Sequence, residues 1–279
     1  MNTNRLNILA CQIDIPPMTS HEGRDAHLAL SSDKVRERLI GQKVDIVVLP
    51  ELSSIDYSRE AFDRLDTLAE HLDGPSFQTW REVASEFGVF VCYGFPRTAN
   101  DQFHISQAVV GPDGNLVGYF DKLHMAQFGA SMEKEYFSKG SHLFCFEAKG
   151  FKLAPFICYD IRIPELARTL VLEQKVDVIL HCGAYYRDPS FHTWHDFAVT
   201  RALENQIFFL SLNRAGENYG NSIFCWPWMD ETLQPVPFEA NNEEFKHLTL
   251  EREMLENARR EYSFLKDRLE DYSLLHKSE

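Results

Sequence analysis

The sequence predicts an α/β fold in which helices cover the faces of a mixed sheet. Apolar runs of strand length alternate with segments of helical periodicity along most of the 279 residues. Two of these runs, Val44–Pro50 and Val176–Gly183, are apolar enough to be strands buried on both faces. A βαβ pattern occurs near the start and again after Cys158. Two such sheets packed together would give a four-layer α-β-β-α sandwich, and periodicity alone leaves a single wide sheet as the alternative.

The elements before residue 100 follow from apolar spacing and from boundary residues. Leu6–Ile13 is a predicted strand, and Asp25–Gln42 is a predicted helix with its apolar residues near one face. Gly74–Gly88 begins with proline after glycine and stops at glycine, as helices do. Val89–Phe95 is the next predicted strand. These elements, with Val44–Pro50, make up the first predicted βαβ region.

Two hairpins and a second alternating region follow. The first hairpin turns at Pro112–Gly114 between HISQAVVG and NLVGYF, and the second turns at Lys149–Gly150 between HLFCFEA and FKLAPFICY. The later predicted elements are a helix from Pro164 to Glu173, a strand at Val176–Gly183, a helix at Ser190–Asn205, a strand at Ile207–Asn213, and weaker strands at Asn221–Trp226 and Phe245–Leu250.

No linker or short-period repeat divides the chain, so we expect one domain over residues 1–250 and an extension over residues 251–279. The extension is rich in charge and carries apolar side chains at helical spacing, at Met254, Leu255, Tyr262, Leu265 and Leu269. It is therefore a predicted helix, and its apolar stripe would suit packing against a partner subunit.

Composition limits the classes of function. The formal net charge is −14, which disfavours nucleic-acid binding through a broad basic face. No secretory signal and no apolar run of membrane-spanning length is present, so we expect a cytoplasmic protein without a membrane partner. The six cysteines are scattered singly, which indicates free thiols in a reducing compartment and neither a disulfide framework nor a zinc site.

Three predicted strands end at a chemically active side chain. VVLPE ends at Glu51, GYFDK ends at Lys122, and APFIC ends at Cys158. Residues at strand ends gather into sites because a rigid sheet holds the loops. A thiol with an ordinary pKa of about 8.5 needs a base to become a nucleophile, and an ammonium group stabilises a developing oxyanion. This set suits attack on a carbon bonded to nitrogen, through a thioester that water then cleaves.

The motifs VVLPE, YFDKLH and FICYDIRIPE, followed by RALENQIFFLSLNR, resemble those of the nitrilase superfamily of carbon–nitrogen hydrolases. The resemblance extends from about Leu6 to Leu250. It implies a four-layer sandwich, a Glu51–Lys122–Cys158 triad, and no metal or cofactor. Glu51 would be the general base and Cys158 the nucleophile. Lys122 and the backbone N–H of Tyr159 would stabilise the tetrahedral intermediate.

The resemblance also implies a second glutamate between the lysine and the cysteine. MEKEYFSKG offers Glu133 and Glu135, and the spacing to Gly140 favours Glu133. Members of this superfamily commonly form homodimers, with their C-terminal tails at the contact. We therefore expect a homodimer or a higher homo-oligomer.

The residues after the cysteine bear on the substrate. Tyr159 and Asp160 stand where nitrilases usually have Trp-Glu, and CYDIRIPE is similar to the omega-amidase-like branch, which favours a small linear amide. Arg162 is a candidate for binding a substrate carboxylate, or alternatively for a structural ion pair with Asp160 or Glu165. Hydrolysis of an N-carbamoyl amine is the alternative reaction. A non-catalytic binding protein on the same fold is the alternative class.

Overall fold

A computed structural model describes residues 4–275 of the protein and shows two six-stranded mixed sheets packed face to face. The first sheet is built from strands β1 (Arg5–Gln12), β2 (Ile46–Val48), β3 (Phe90–Ala99), β4 (Gln102–Val110), β5 (Leu116–Asp121) and β12 (Glu244–Glu251). The second is built from β6 (Phe146–Ala148), β7 (Phe151–Ile157), β8 (Val178–Cys182), β9 (Phe208–Leu212), β10 (Ile223–Cys225) and β11 (Val236–Pro237). The strand orders are β12-β1-β2-β3-β4-β5 and β11-β10-β9-β8-β7-β6.

Helices cover the outer faces of both sheets. The α-helices are α1 (His21–Leu39), α2 (Arg59–Phe62), α3 (Leu65–Leu68), α4 (Pro75–Phe87), α5 (Pro164–Leu172), α6 (Thr193–Asn205), α7 (Arg252–Glu261) and α8 (Phe264–Asp267). Short 3₁₀ helices lie at Glu133–Glu135, Cys158–Arg162 and Tyr272–Leu274. The predicted four-layer α-β-β-α sandwich is confirmed.

Successive side chains along a strand enter two different apolar layers, one between the sheets and one beneath the helices. On β1, Ile8 and Ala10 join the apolar core between the sheets, whereas Leu9 and Cys11 join the core beneath the helices. Strand β8 is divided in the same way, with Leu180 in the core between the sheets. Because successive side chains of a strand point to opposite faces, a fully apolar strand is buried on both.

The structure departs from the predicted boundaries in several places. Helix α1 begins at His21, four residues before the predicted start, because the Ser20 hydroxyl accepts a hydrogen bond from the Gly23 N–H and caps the helix. Strand β3 continues past Phe95 to Ala99 and forms an additional hairpin with β4. Its turn uses Asn100 and Asp101 in the left-handed region, with φ of 50° and 58°.

The C-terminal extension packs on the domain through its first helix. On α7, Leu255 is fully buried in the core between the sheets, and Gln206 donates its side-chain N–H groups to the carbonyls of Ala258 and Tyr262. Beyond α7 the predicted single helix is interrupted, and Leu269 is 46% exposed. No helix within residues 4–275 is long and apolar enough to cross a bilayer.

Gly94 allows β3 to pass close to the segment that carries Glu51. A Cβ atom at this position would lie 2.5 Å from the Pro50 carbonyl oxygen and 2.6 Å from the Leu52 nitrogen. These are backbone atoms, so they yield only if the segment shifts. We expect Gly94→Ala to lower the free energy of unfolding by about 1–3 kcal/mol, measured by urea denaturation.

Gly23→Ala is the matched control. Its Cβ would contact Met18 at an ordinary 3.4 Å within a helix. The substitution should leave stability unchanged or raise it by up to about 1 kcal/mol. Equal stability of the Gly94→Ala variant and the wild type would contradict the close-packing argument.

Candidate active site

The predicted site residues come from both sheets. Glu51 follows β2 and Lys122 follows β5 in the first sheet, whereas Cys158 follows β7 in the second. The Lys122 ammonium donates to Oε1 of Glu51 at 2.8 Å and to Oε1 of Glu133 at 2.6 Å. All three of these side chains are fully buried. An ammonium has three N–H groups, so one remains for a further acceptor.

The structure distinguishes the two glutamates that the sequence left open. Glu133 accepts hydrogen bonds from the Tyr57 hydroxyl and the Ala126 N–H, both at 2.8 Å, in addition to the bond from Lys122. Glu135 lies at the surface and pairs with Arg59. Only Glu133 therefore occupies a position next to Lys122.

Burial and charge set the protonation states of these groups. Burial raises the pKa of Glu51, and the Lys122 charge opposes that rise. Burial alone would lower the pKa of Lys122, but the Glu133 and Glu51 charges raise it well above its ordinary value. Burial and the Glu51 charge raise the pKa of Cys158 well above its ordinary value, so the resting sulfur is a protonated thiol that needs a base.

Cys158 sits at a sharp backbone turn and faces a small cavity. Its φ of 43° lies in the left-handed region, which costs a non-glycine residue about 1–3 kcal/mol. The cavity has a free volume of about 20 Å³, and Arg162, Tyr185 and Asp188 also line it. Oε2 of Glu51 is buried and has no hydrogen-bond partner among the described residues, so it is free to accept a proton.

Arg162 does not form the structural ion pair considered from the sequence. Asp160 instead accepts hydrogen bonds from the backbone N–H and the ring Nδ1 of His124. The Arg162 guanidinium lies between the rings of Phe128 and Phe197, at 5.4 and 5.1 Å from their centroids. Its Nε and Nη2 are buried and lack a hydrogen-bond partner within residues 4–275. These two atoms form the edge that binds carboxylates in a bidentate manner.

Sequence reasoning missed several side chains that support the site. Tyr57 contacts Glu133, and His181 and Tyr185 contact the Cys158 carbonyl. Arg214 is buried and donates to the carbonyls of Glu51, Leu52 and Ile55, which fixes the loop that carries the glutamate. The sequence signal for Arg214 is its position just beyond an apolar strand, the same signal that identified Lys122.

Most of the chain matches a known protein family. The carbon-nitrogen hydrolase family model matches residues 8–241. An (R)-stereoselective amidase from Pseudomonas sp is 30% identical over 250 residues, covering 88% of each chain. A 2-oxoglutaramate amidase from Bacillus subtilis (strain 168) is 32% identical over 191 residues, covering 66% of this chain and 71% of the relative.

The fold is also similar to that of solved structures. Saccharomyces cerevisiae Nit3, a member of branch 10 of the nitrilase superfamily, superimposes with a TM-score of 0.80 at 22% identity. The match covers 98% of this chain and 97% of Nit3. The protein therefore belongs to the carbon–nitrogen hydrolase family of the nitrilase superfamily, as the sequence motifs indicated.

Removing the Lys122 ammonium should destabilise the fold, because two buried carboxylates would lose the positive charge between them. We expect Lys122→Met to lower the free energy of unfolding by about 3–5 kcal/mol at pH 7. Without the lysine charge the folded-state pKa of Glu51 rises further, so the folded protein binds more protons than the unfolded chain. Stability then falls as pH rises, and urea denaturation should show a smaller deficit at pH 5 than at pH 8.

Lys134→Met is the control, because Lys134 is exposed and adjacent to Glu133. It should change stability by no more than about 0.5 kcal/mol at either pH. A deficit for Lys122→Met that is the same at both pH values would contradict the proposed charge balance.

Proposed function

We propose that the protein is an amidase that hydrolyses a small linear amide through a cysteine acyl-enzyme. Glu51 accepts the Cys158 thiol proton as the sulfur attacks the amide carbonyl. The free N–H of Lys122 and the backbone N–H of Tyr159 stabilise the resulting oxyanion. The tetrahedral intermediate collapses, the proton passes to the leaving nitrogen, and ammonia departs. A thioester on Cys158 remains.

The second half of the reaction uses the same groups. Glu51 removes a proton from water, which attacks the thioester, and the carbon–sulfur bond breaks to release the carboxylic acid and restore the thiol. The observation that supports this proposal is the buried Glu51–Lys122–Glu133 cluster, because it brings a base and a cation close enough for their charges to act on the Cys158 thiol. Glu133 holds the ammonium and keeps it charged.

The preferred substrate in this proposal is an amide that carries a carboxylate, as in an omega-amidase. Arg162, whose buried Nε and Nη2 have no hydrogen-bond partner in the described chain, lines the same cavity as Cys158. A carboxylate would satisfy both N–H groups, whose burial without a partner is costly. The similarity to a 2-oxoglutaramate amidase also supports an acidic substrate.

Hydrolysis of an N-carbamoyl amine is the second candidate, and Asp188 favours it. Asp188 lines the cavity, and a carboxylate there would attract an ammonium group on the substrate. One of its oxygens is already bound by the N–H and hydroxyl groups of Ser190. If this candidate is correct, Asp188→Asn lowers turnover of N-carbamoylputrescine and leaves turnover of an acidic amide unchanged.

An ammonia-release assay tests the reaction class. The wild type is expected to act on succinamate faster than on propionamide, N-carbamoylputrescine or propionitrile. Cys158→Ala should abolish release, and mass spectrometry of the wild type should detect an acyl adduct on Cys158. Absence of both turnover and adduct on every compound would refute the amidase proposal and favour a binding protein.

Arg162→Leu tests the acid preference. We expect its kcat/KM for succinamate to fall roughly 100-fold, since hydrogen bonds to a charged group contribute about 1.5–3 kcal/mol. Turnover of uncharged propionamide should change by less than about 3-fold. Arg81→Leu, on the exposed surface of α4, is the matched control and should affect neither compound. Equal losses on both amides would argue against a carboxylate at Arg162.

A further inference from the structure

The peptide unit between Cys158 and Tyr159 is held from one side by two buried side chains. Its carbonyl oxygen lies 2.8 Å from the Tyr185 hydroxyl and 3.0 Å from Nε2 of His181. His181 is fully buried and Tyr185 is 7% exposed. Neither residue belongs to the Glu51–Lys122–Glu133 cluster. An acceptor with two donors is fixed in direction more firmly than one with a single donor.

The other side of this peptide carries the N–H that the proposed reaction needs. A trans peptide is planar, so its C=O and N–H groups point in opposite directions. Fixing the Cys158 carbonyl therefore fixes the direction of the Tyr159 N–H. The φ of Cys158 lies in the left-handed region, which is unfavourable for a non-glycine residue, so the turn persists only where its surroundings hold it.

A chain of hydrogen bonds sets the tautomer of His181. The Trp194 Nε1–H donates to the Ser211 hydroxyl at 2.7 Å, and that hydroxyl lies 2.6 Å from Nδ1 of His181. Since the indole donates to Ser211, the serine proton is available to Nδ1, and the imidazole proton is on Nε2, facing the carbonyl. Burial lowers the pKa of His181 to about 3, so the ring is neutral at physiological pH.

Tyr185 is restrained in a similar way. Its ring stacks on Trp194, with centroids 4.5 Å apart and planes 5° from parallel. Its backbone N–H donates to Asn213 at 2.8 Å. Trp194 therefore supports both donors, through Ser211 for His181 and through stacking for Tyr185.

We propose that His181 and Tyr185 are positioning residues that aim the Tyr159 N–H at the substrate oxyanion. This inference rests on the proposed amidase reaction, and it assigns these residues to oxyanion stabilisation and not to thiol activation. Two donors on the carbonyl also polarise the peptide and strengthen its N–H as a donor.

The experiment distinguishes an effect on oxyanion stabilisation from an effect on the reactivity of the Cys158 thiol. For Tyr185→Phe and His181→Leu, we expect kcat for succinamate to fall about 10-fold to 100-fold with KM within about 3-fold, since loss of a whole oxyanion donor costs about 100-fold to 1000-fold. Alkylation of Cys158 by iodoacetamide needs no oxyanion site and should keep its wild-type rate. His181→Gln retains an N–H donor and should recover part of kcat.

An aldehyde provides a readout that needs no turnover. The Cys158 sulfur adds reversibly to the carbonyl carbon of succinic semialdehyde, and the thiol proton ends on the new hydroxyl oxygen, which occupies the oxyanion position. Protection of Cys158 from iodoacetamide measures its affinity. This affinity should fall by a factor similar to the loss in kcat. Tyr93→Phe is the matched control, because the Tyr93 hydroxyl is buried and has no hydrogen-bond partner in the described chain.

The outcomes distinguish the two proposals. A wild type that releases no ammonia from any amide refutes the amidase reaction, while loss of semialdehyde affinity in the variants would still support the positioning role. Wild-type kcat or wild-type semialdehyde affinity in Tyr185→Phe and His181→Leu overturns that role. Slower alkylation in parallel with slower turnover also overturns it, since that result indicates general disruption of the Cys158 turn.

Discussion

The site depends on one fully buried ammonium group held between two carboxylates. Lys122, Glu51 and Glu133 are fully buried, so their desolvation must be offset by their mutual attraction and by the bonds from Tyr57 and Ala126. Such a cluster is weak evidence for stability, because apolar side chains of similar volume would be cheaper to bury. What the cluster does is fix positions. The Lys122 ammonium has one N–H left, in one direction, and Glu51 has one oxygen without a hydrogen-bond partner among the described residues.

The packing of the two sheets brings the cluster to the thiol. Glu51 and Lys122 are set by the first sheet and Cys158 by the second, so their separation is fixed by the apolar layer between the sheets. Arg214 reinforces this relation, because it follows β9 of the second sheet and binds the carbonyls after β2 of the first. Changes in that layer would therefore act on catalysis as well as on stability.

Local sequence signals located most of the elements and the residues at the strand ends. A buried strand followed by Glu51, Lys122 or Cys158 is a pattern within a few residues, so it can be predicted without a structure. The start of α1 was missed because its first turn is polar and depends on a cap at Ser20. The role of His181 has no local sequence signal, because its partners lie 23 and 30 residues away along the chain.

In the proposed reaction, the chemistry and the choice of substrate reside in different parts of the molecule. The buried cluster and the Cys158 turn depend on sheet packing, whereas Phe128, Arg162 and Asp188 lie on segments outside the sheets. Loops tolerate change more readily than buried strands, so the same reaction can be directed to different amides by their side chains.

The cavity of about 20 Å³ holds little more than a water molecule. A substrate that reaches Arg162 must therefore displace a side chain that lines the cavity. Phe128 is such a side chain, and it is 40% exposed. Because Phe128 stacks on the guanidinium of Arg162, that displacement would expose the group that binds the substrate's carboxylate in the proposed reaction.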